Sequence, residues 1–342
     1  MIHYTLEKKL LEKKLSNLMH LKHFIFTGYA RNGLYLLIKA LNWDNNAHII
    51  IPAFTCSVIP KTIEAAGAIP VPVDSEDLGL NISPEKIEKA ITKHTKAIYV
   101  IHTYGTAAKI NEICAIANKY NLLVIEDVAH SLFSQYKGKQ LGTFGDFAIL
   151  SFTKKLINYE GGAIGTNNTA VYKKITALQQ NYRKSAVFYF SDYIDDTTRL
   201  IGAFWETKFS FLTLIVMKML DIWENIFFEG QYGLHVDQKK FFMRRLSMRI
   251  TLIQLDLLNK KTKKEQKKHI TFRNKFSNRL EFPKINQKEK DSFPLYNVGL
   301  FKKNFLYLLI SYRTWRNPNK KGLFPRADHI YSNCRLFSSF LI

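Results

Sequence analysis

A lysine pair followed by a glycine pair carries the most distinctive chemistry of the chain. Ser151-Phe-Thr-Lys154-Lys155-Leu-Ile-Asn-Tyr-Glu-Gly161-Gly162 leaves an apolar run, presents two amines in a turn and closes on residues without side chains. A lysine held just off a strand end can form an imine with an aldehyde, because burial and nearby positive charge lower its pKa and keep part of the amine unprotonated. Two solvated lysines in a basic protein would read the same way. Upstream, Glu126-Asp127-Val-Ala129-His130 ends another apolar run on two adjacent acids. Side chains alternate faces along a strand, so one acid of the two must point into a crevice at the strand end. A carboxylate buried there wants a cationic partner, and a protonated pyridine nitrogen would satisfy it; Asp127 also suits a helix N-cap. A third feature is Gly28-Tyr-Ala30-Arg31-Asn32-Gly33 before the amphipathic run Leu34 to Leu41. Small residues opening a helix leave backbone amides free for a phosphate, helped by the helix dipole and by Arg31. An imine-forming lysine, a carboxylate for a ring nitrogen and a helix start for a phosphate are together the three handles of pyridoxal 5′-phosphate.

Elements that could position these groups are legible between about Gly28 and Gly165. Short runs rich in β-branched residues alternate with amphipathic stretches, the pattern of a largely parallel sheet covered by helices. The spacing predicts strands at 48–52, 69–73, 97–101, 122–126 and 147–151, with helices at 84–92 and 110–120. Thr55, His102, Asp127 and Lys154 follow four of these strands. Carboxyl ends of strands in open α/β sheets meet at a ligand crevice, so the four are expected to share one site. Beyond residue 170 the chain is less regular, and 247–279 reads as one or two solvated helices with apolar positions at Ile250, Ile253, Leu257 and Leu258. The expected division is a large α/β domain over 1–235, with an N-terminal helix and an apolar helical insertion at about 170–235, and a smaller C-terminal α+β domain over 236–342.

Composition narrows the partners. The 342 residues include 50 basic and 28 acidic ones, a formal charge of +22, which favours anionic ligands. The basic stretch 239–290 shows no zinc pattern, aromatic RNA-binding motif or recognition helix, so no specific nucleic acid is expected. Three widely spaced cysteines, Cys56, Cys114 and Cys334, fit a reducing cytoplasm better than a disulfide framework or thiolate metal site. The most apolar run, 209–217, is too short to span a membrane, and the N-terminus lacks the apolar core of a secretory signal.

The order of the blocks resembles the sugar aminotransferases of the DegT/DnrJ/EryC1/StrS family, fold-type I pyridoxal-phosphate enzymes. The matching pieces are Tyr29-Ala-Arg-Asn-Gly-Leu34, Ile51-Pro-Ala-Phe-Thr-Cys56, Gly67 to Asp74, Asn81-Ile-Ser-Pro84, Lys96 to Gly105, Ile125-Glu-Asp-Val-Ala-His130, Gly142-Thr-Phe-Gly-Asp146 and Ser151 to Gly162. The later half matches only at Arg245-Leu-Ser247, Gln254-Leu255 and Tyr331 to Cys334.

The resemblance implies that Lys154 carries the imine, with Lys155 the second candidate because longer members place two more residues before the lysine. It implies that Asp127 pairs with the pyridinium nitrogen, Ala129 packs under the ring, and His130 sits near the phenolic oxygen. Arg31, Asn32 and Ser151 fall where the family holds phosphate, beside the Ala30 amide. After Thr55 the family commonly carries an aromatic residue that stacks on the cofactor. This chain has Cys56 there, and Phe54 or His102 stands in for it. The implied reaction takes an amino group from glutamate or glutamine to a keto sugar nucleotide, with Arg31, Arg183, Arg245 and Arg313 as candidate contacts for the diphosphate. A homodimer is implied, with 204–228 as its interface, as core, or as a peripheral membrane contact. Relatives continue beyond Phe340-Leu-Ile342 with further small-domain sequence, so a truncated or frame-changed end is expected. The rival readings are a dehydratase of the same family, which would carry His in place of Lys154, a regulator or sensor that binds the cofactor without turnover, and a nucleic-acid-binding protein.

Overall fold

A seven-stranded sheet forms the centre of the molecule, its strands in the spatial order 23–27, 162–166, 147–151, 123–127, 95–101, 48–52 and 69–73. The computed structural model describes residues 2–77, 79–156, 158, 160–182, 241–256, 280–281, 297–301, 314–315 and 334–337. In chain order the elements are α1 (Ile2–Met19), β1 (His23–Thr27), α2 (Ala30–Leu41), β2 (His48–Pro52), β3 (Thr55–Cys56), α3 (Val58–Ala65), β4 (Ile69–Val73), α4 (Pro84–Ala90), β5 (Thr95–Ile101), α5 (Ile110–Lys119), β6 (Leu123–Asp127), the hairpin β7 (Gln135–Tyr136) and β8 (Lys139–Gln140), β9 (Phe147–Ser151), β10 (Gly162–Thr166) and α6 (Thr169–Asn181). β4, β2, β5, β6 and β9 run parallel, and β10 alone runs against its neighbours, so β1 regains the common direction.

Alternation along each strand sorts the core into two apolar layers. Phe24, Phe26, Ile50, Ile98, Val100, Val124, Ala148 and Leu150 pack with α1, α4 and α5 on one face. Ile25, Ile49, Ile51, Tyr99, Ile101, Ile125, Phe147 and Ile149 pack with α2, α3 and α6 on the other. Strands buried on both faces are apolar at every position, which is why the runs at 48–52 and 147–151 stand out in the sequence. β1 and β10, not anticipated, complete the sheet.

Residues 241–256, placed by the sequence in the smaller domain, pack against this sheet and α1. Met243, Met248 and Leu255 enter the core layer shared with α1, and Gln179 Nε2 donates to the carbonyls of Phe26 and Phe241. In the helix over 245–256, Ser247, Met248, Thr251 and Leu255 form the buried stripe, whereas Ile253, expected on the apolar face, is 64% exposed. Farther on, β11 (Leu280–Glu281), β12 (Asn297–Phe301) and β14 (Cys334–Phe337) make a separate antiparallel sheet, and β13 (Thr314–Trp315) pairs with β3. The insertion 204–228, Arg183 and Arg313 lie outside the described residues. No helix among the described residues is long and apolar enough to cross a membrane.

Candidate active site

The carboxyl ends of β2, β5, β6 and β9 surround a cavity of about 280 Å³. Thr55, Cys56, Asp127, Ala129, His130, Ser151 and Lys154 line it, together with Ala30 and Arg31 from the start of α2. Three of the four strand-exit residues thus meet in one hollow, as a crevice at parallel strand ends requires.

Asp127 and Glu126 occupy opposite faces of β6. Asp127 lines the cavity, where its Oδ1 accepts from the Ala129 amide at 2.8 Å and its Oδ2 from the Tyr99 hydroxyl at 2.6 Å. Burial pushes its carboxyl above the ordinary range, against the pull of Tyr99, the Ala129 amide, His102 and Lys154. Glu126 points the other way and is fully buried. Its oxygens accept from the amides of Gly142 (2.9 Å), Phe144 (2.7 Å) and Gly145 (2.7 Å) and from His102 Nε2 (3.1 Å).

His102 therefore does not reach the cavity, contrary to the expectation that it shares the site or stacks on a ligand. It is fully buried, and its Nδ1 accepts from the Ala108 amide, so Nε2 carries the hydrogen given to Glu126. Asn32 also falls outside the cavity lining. Its amide closes the first turn of α2 on the Tyr29 carbonyl, and its side chain is buried. Arg245, a candidate diphosphate contact, instead binds Glu7 Oε1 on α1 at 2.8 Å.

The two lysines separate in the same manner. Lys154 lines the cavity, while Lys155 Nζ donates to the Leu132 carbonyl and Ser134 Oγ. Burial lowers the Lys154 pKa, opposed by Cys56 and Asp127.

Glycines bring the lysine turn and the helix start together. A Cβ on Gly162 would sit against the Ala30 amide nitrogen and 2.6 Å from the Tyr29 carbonyl carbon, so β10 passes directly beneath the first turn of α2. The Gly161 amide donates to the Gly28 carbonyl, and the Phe152 amide donates to the Gly161 carbonyl. Tyr29, at the N-cap of α2, makes no side-chain cap. The Ala30 and Arg31 amides thus open the helix at the cavity wall, and the Arg31 guanidinium lies 4.3 Å from the Tyr29 ring centre.

Tyr104, which sequence reasoning passed over, completes the wall beside Phe54 and His130. Tyr104 stacks on His130 at 5.3 Å and meets Phe54 edge-on at 6.2 Å. Its φ of 53° lies in the left-handed region, rare for a bulky residue, and nothing in its residue type signals this. The Tyr104 amide donates to His130 Nδ1, which leaves the hydrogen on Nε2. Burial and the neighbouring lysines hold His130 at about 3, so its ring is uncharged at neutral pH. Thr55 and Thr103 Oγ1, both buried in the cavity wall, have no hydrogen-bond partner among the described residues.

The DegT/DnrJ/EryC1/StrS aminotransferase family model matches residues 3–200, more than half of the chain. The chain belongs to this family. Among curated relatives, GDP-perosamine synthase of Escherichia coli O157:H7 is 34% identical over 165 residues, 48% of this chain and 45% of the relative. The dTDP-3-amino-3,6-dideoxy-alpha-D-galactopyranose transaminase of Aneurinibacillus thermoaerophilus is 38% identical over 174 residues, 50% and 48% of the two chains. A pleiotropic regulatory protein of Geobacillus stearothermophilus is 34% identical over 184 residues, 53% and 50%. The chain spans about half the length of these relatives or less. Among solved structures, NtdA of Bacillus subtilis with bound cofactor PMP has a TM-score of 0.65 at 22% identity, covering 98% of this chain and 73% of that one. DesV of S. venezuelae has a TM-score of 0.67 at 17% identity, with 97% and 83% covered. The DegT/DnrJ/EryC1/StrS fold accounts for the mostly parallel sheet.

Proposed function

We propose that the protein is a pyridoxal-5′-phosphate-dependent aminotransferase that takes an amino group from glutamate or glutamine and gives it to a keto sugar nucleotide, in amino-sugar biosynthesis for a surface polysaccharide. The observation that carries this reading is the convergence of Lys154, Asp127 and the first amides of α2 on one cavity. Family membership and two relatives named for amino-sugar synthesis support it.

The residues fit the cofactor. The Ala30 and Arg31 amides, the Arg31 guanidinium and Ser151 Oγ would hold the phosphate. Asp127 would hold the ring nitrogen, and Ala129, with no bulk beyond Cβ, would leave room for the ring. The buried hydroxyls of Thr55 and Thr103 add polar atoms that lack partners within the described protein. Bound there, the cofactor would supply an aldehyde for amine exchange and a ring that draws electrons from the substrate carbon.

The chain's own groups do the rest. Lys154, whose amine burial biases toward the unprotonated form, would take a proton at Nζ from the substrate carbon and return it to the carbon on the far side of the substrate nitrogen, serving both half-reactions. As the carboxylate, Asp127 would keep the ring nitrogen protonated. His130 donates from Nε2 without changing charge. The net charge of +22 steers a diphosphate-bearing acceptor toward the site. The reading includes a cytoplasmic location and a homodimer, the latter tested by sedimentation of purified protein.

Purified protein mixed with pyridoxal 5′-phosphate is expected to turn yellow, lose the visible band on borohydride treatment, and keep the cofactor's mass on the peptide that contains Lys154. The pyridoxamine form is then expected to regain the band on addition of a keto sugar nucleotide. Colourless protein after cofactor addition overturns the reading. A second reading, a regulator that binds the cofactor without turnover, draws on the pleiotropic regulatory protein among the relatives. It predicts the band with no amino transfer from any donor.

A further inference from the structure

We infer that Tyr99 is the positioning residue for Asp127, a role that rests on the reading of the cavity as a pyridoxal-phosphate site. Tyr99 lies in β5, is fully buried, and does not line the cavity. In the sheet register it faces Ile125, and Ile101 faces Asp127. Its side chain therefore runs two residue positions along the sheet to reach Asp127 Oδ2 at 2.6 Å. An Ile or Leu would fill this apolar layer as well, so packing does not account for a buried hydroxyl at this point.

Two consequences follow from the geometry. The first is orientation: with Oδ1 held by the Ala129 amide and Oδ2 by Tyr99, the carboxylate plane is fixed from behind before any ligand arrives. The second is charge. Asp127 is buried at the cavity wall, which favours its neutral acid, and a neutral acid cannot pair with a pyridinium. A hydroxyl donating to Oδ2 favours the carboxylate. The other groups that face Asp127 are His102, already committed to Glu126 and Ala108, and Lys154. Cys56 faces Tyr99 and Lys154. Tyr99 itself remains a donor, since burial and the adjoining carboxylate push its own ionisation well above the ordinary range.

The test uses wild type, Tyr99→Phe, Asp127→Asn and the double variant. In protein without cofactor, the Asp127 carboxyl carbon, assigned by its loss in Asp127→Asn, is expected to titrate at higher pH in Tyr99→Phe. The dissociation constant for pyridoxal 5′-phosphate, read from the visible band, is expected to rise roughly tenfold in Tyr99→Phe, the size of a lost hydrogen bond to a charged group. Adding Tyr99→Phe to Asp127→Asn is expected to leave that constant within about twofold, because the residue acts only through the carboxylate. A more acidic fluorotyrosine at position 99 keeps the shape and is expected to move the Asp127 titration the opposite way, which guards against a phenylalanine variant that fails to fold. An unchanged carboxyl titration, or an equal tenfold loss in the Asp127→Asn background, overturns the proposal. Wild type without a visible band overturns the cofactor reading instead, and the titration alone still decides whether Tyr99 holds Asp127.

Discussion

Lys155 Nζ donates to the Leu132 carbonyl at 3.0 Å and to Ser134 Oγ at 3.2 Å, whereas Lys154, one residue earlier, lines the cavity that holds Asp127. Adjacent amines of the same type therefore have separate tasks. Lys154→Ala is expected to abolish the borohydride-sensitive band and all amino transfer while leaving the melting temperature near wild type. Lys155→Ala is expected to keep the band and lose about 1–2 kcal/mol of stability, the size of one or two neutral-acceptor hydrogen bonds. Absorption spectra and thermal melts of the two variants check this, and a band that vanishes only in Lys155→Ala would reverse the assignment.

Much of the site was legible because strand exits in a parallel sheet converge whatever the details of packing. What could not be read was parity. His102 and Asp127 both leave apolar strands, but one turns behind the sheet to Glu126 and the other into the cavity, and the choice depends on which face each strand presents. β10 escaped notice because Gly162 and Gly165 must stay small under Tyr29–Ala30 and Leu21, which thins its apolar signal. Tyr99 reads in sequence as one more core residue, since its partner lies two positions along the neighbouring strand.

Glu126 anchors the segment 142–145 and the turn at His102 to the sheet at once. Glu126→Gln keeps the size but replaces one acceptor with a donor facing the Gly142 amide and His102 Nε2–H. Each opposed donor pair leaves a buried group unsatisfied, at about 1–3 kcal/mol apiece. Denaturant titration is expected to show a loss of roughly 2–5 kcal/mol in total, since breaking a buried charged network falls in this range.

Gly162→Ala is expected to be more harmful to ligand binding than a surface glycine change, because the added methyl meets backbone rather than a movable side chain. The first turn of α2 must lift away, taking the Ala30 and Arg31 amides with it. Weaker pyridoxal 5′-phosphate binding, by at least about tenfold, is expected from losing one charge-assisted contact. Gly138, where a Cβ meets nothing within 4 Å but φ is +77°, provides the control: Gly138→Ala strains the hairpin without touching the cavity.

Arg245 contributes to stability through Glu7. Burial pushes the Glu7 carboxyl up, and the Arg245 and Arg249 guanidiniums outweigh it, leaving the group at about 2 against an ordinary 4.5. A depressed folded-state pKa means that this stabilisation is present above about 4.5 and is lost as pH falls toward 2. Glu7→Gln is expected to melt below wild type at pH 7, with the gap closing as acid is added. A gap that stays constant from neutral to acid pH would show that the carboxylate charge is not what α1 uses to hold the helix over 245–256.

His130 has the opposite linkage. Burial lowers its pKa to about 3 from an ordinary 6.5, with Lys154 and Lys155 adding to the shift. Between those values the unfolded chain takes up a proton that the folded chain refuses, so stability must fall as pH drops from 6.5 toward 3. The Tyr104 amide enforces this, since it donates to Nδ1, the nitrogen that protonation would convert to a donor. His130→Gln can accept from the same amide without titrating. In cofactor-free protein, the plot of melting temperature against pH is expected to be flatter in His130→Gln than in wild type below pH 6.5. The same argument removes His130 as the source of any activity limb near neutral pH, so a limb found there must survive in His130→Gln; its disappearance would mean that the ring titrates in the folded protein and that Nδ1 is not locked by Tyr104.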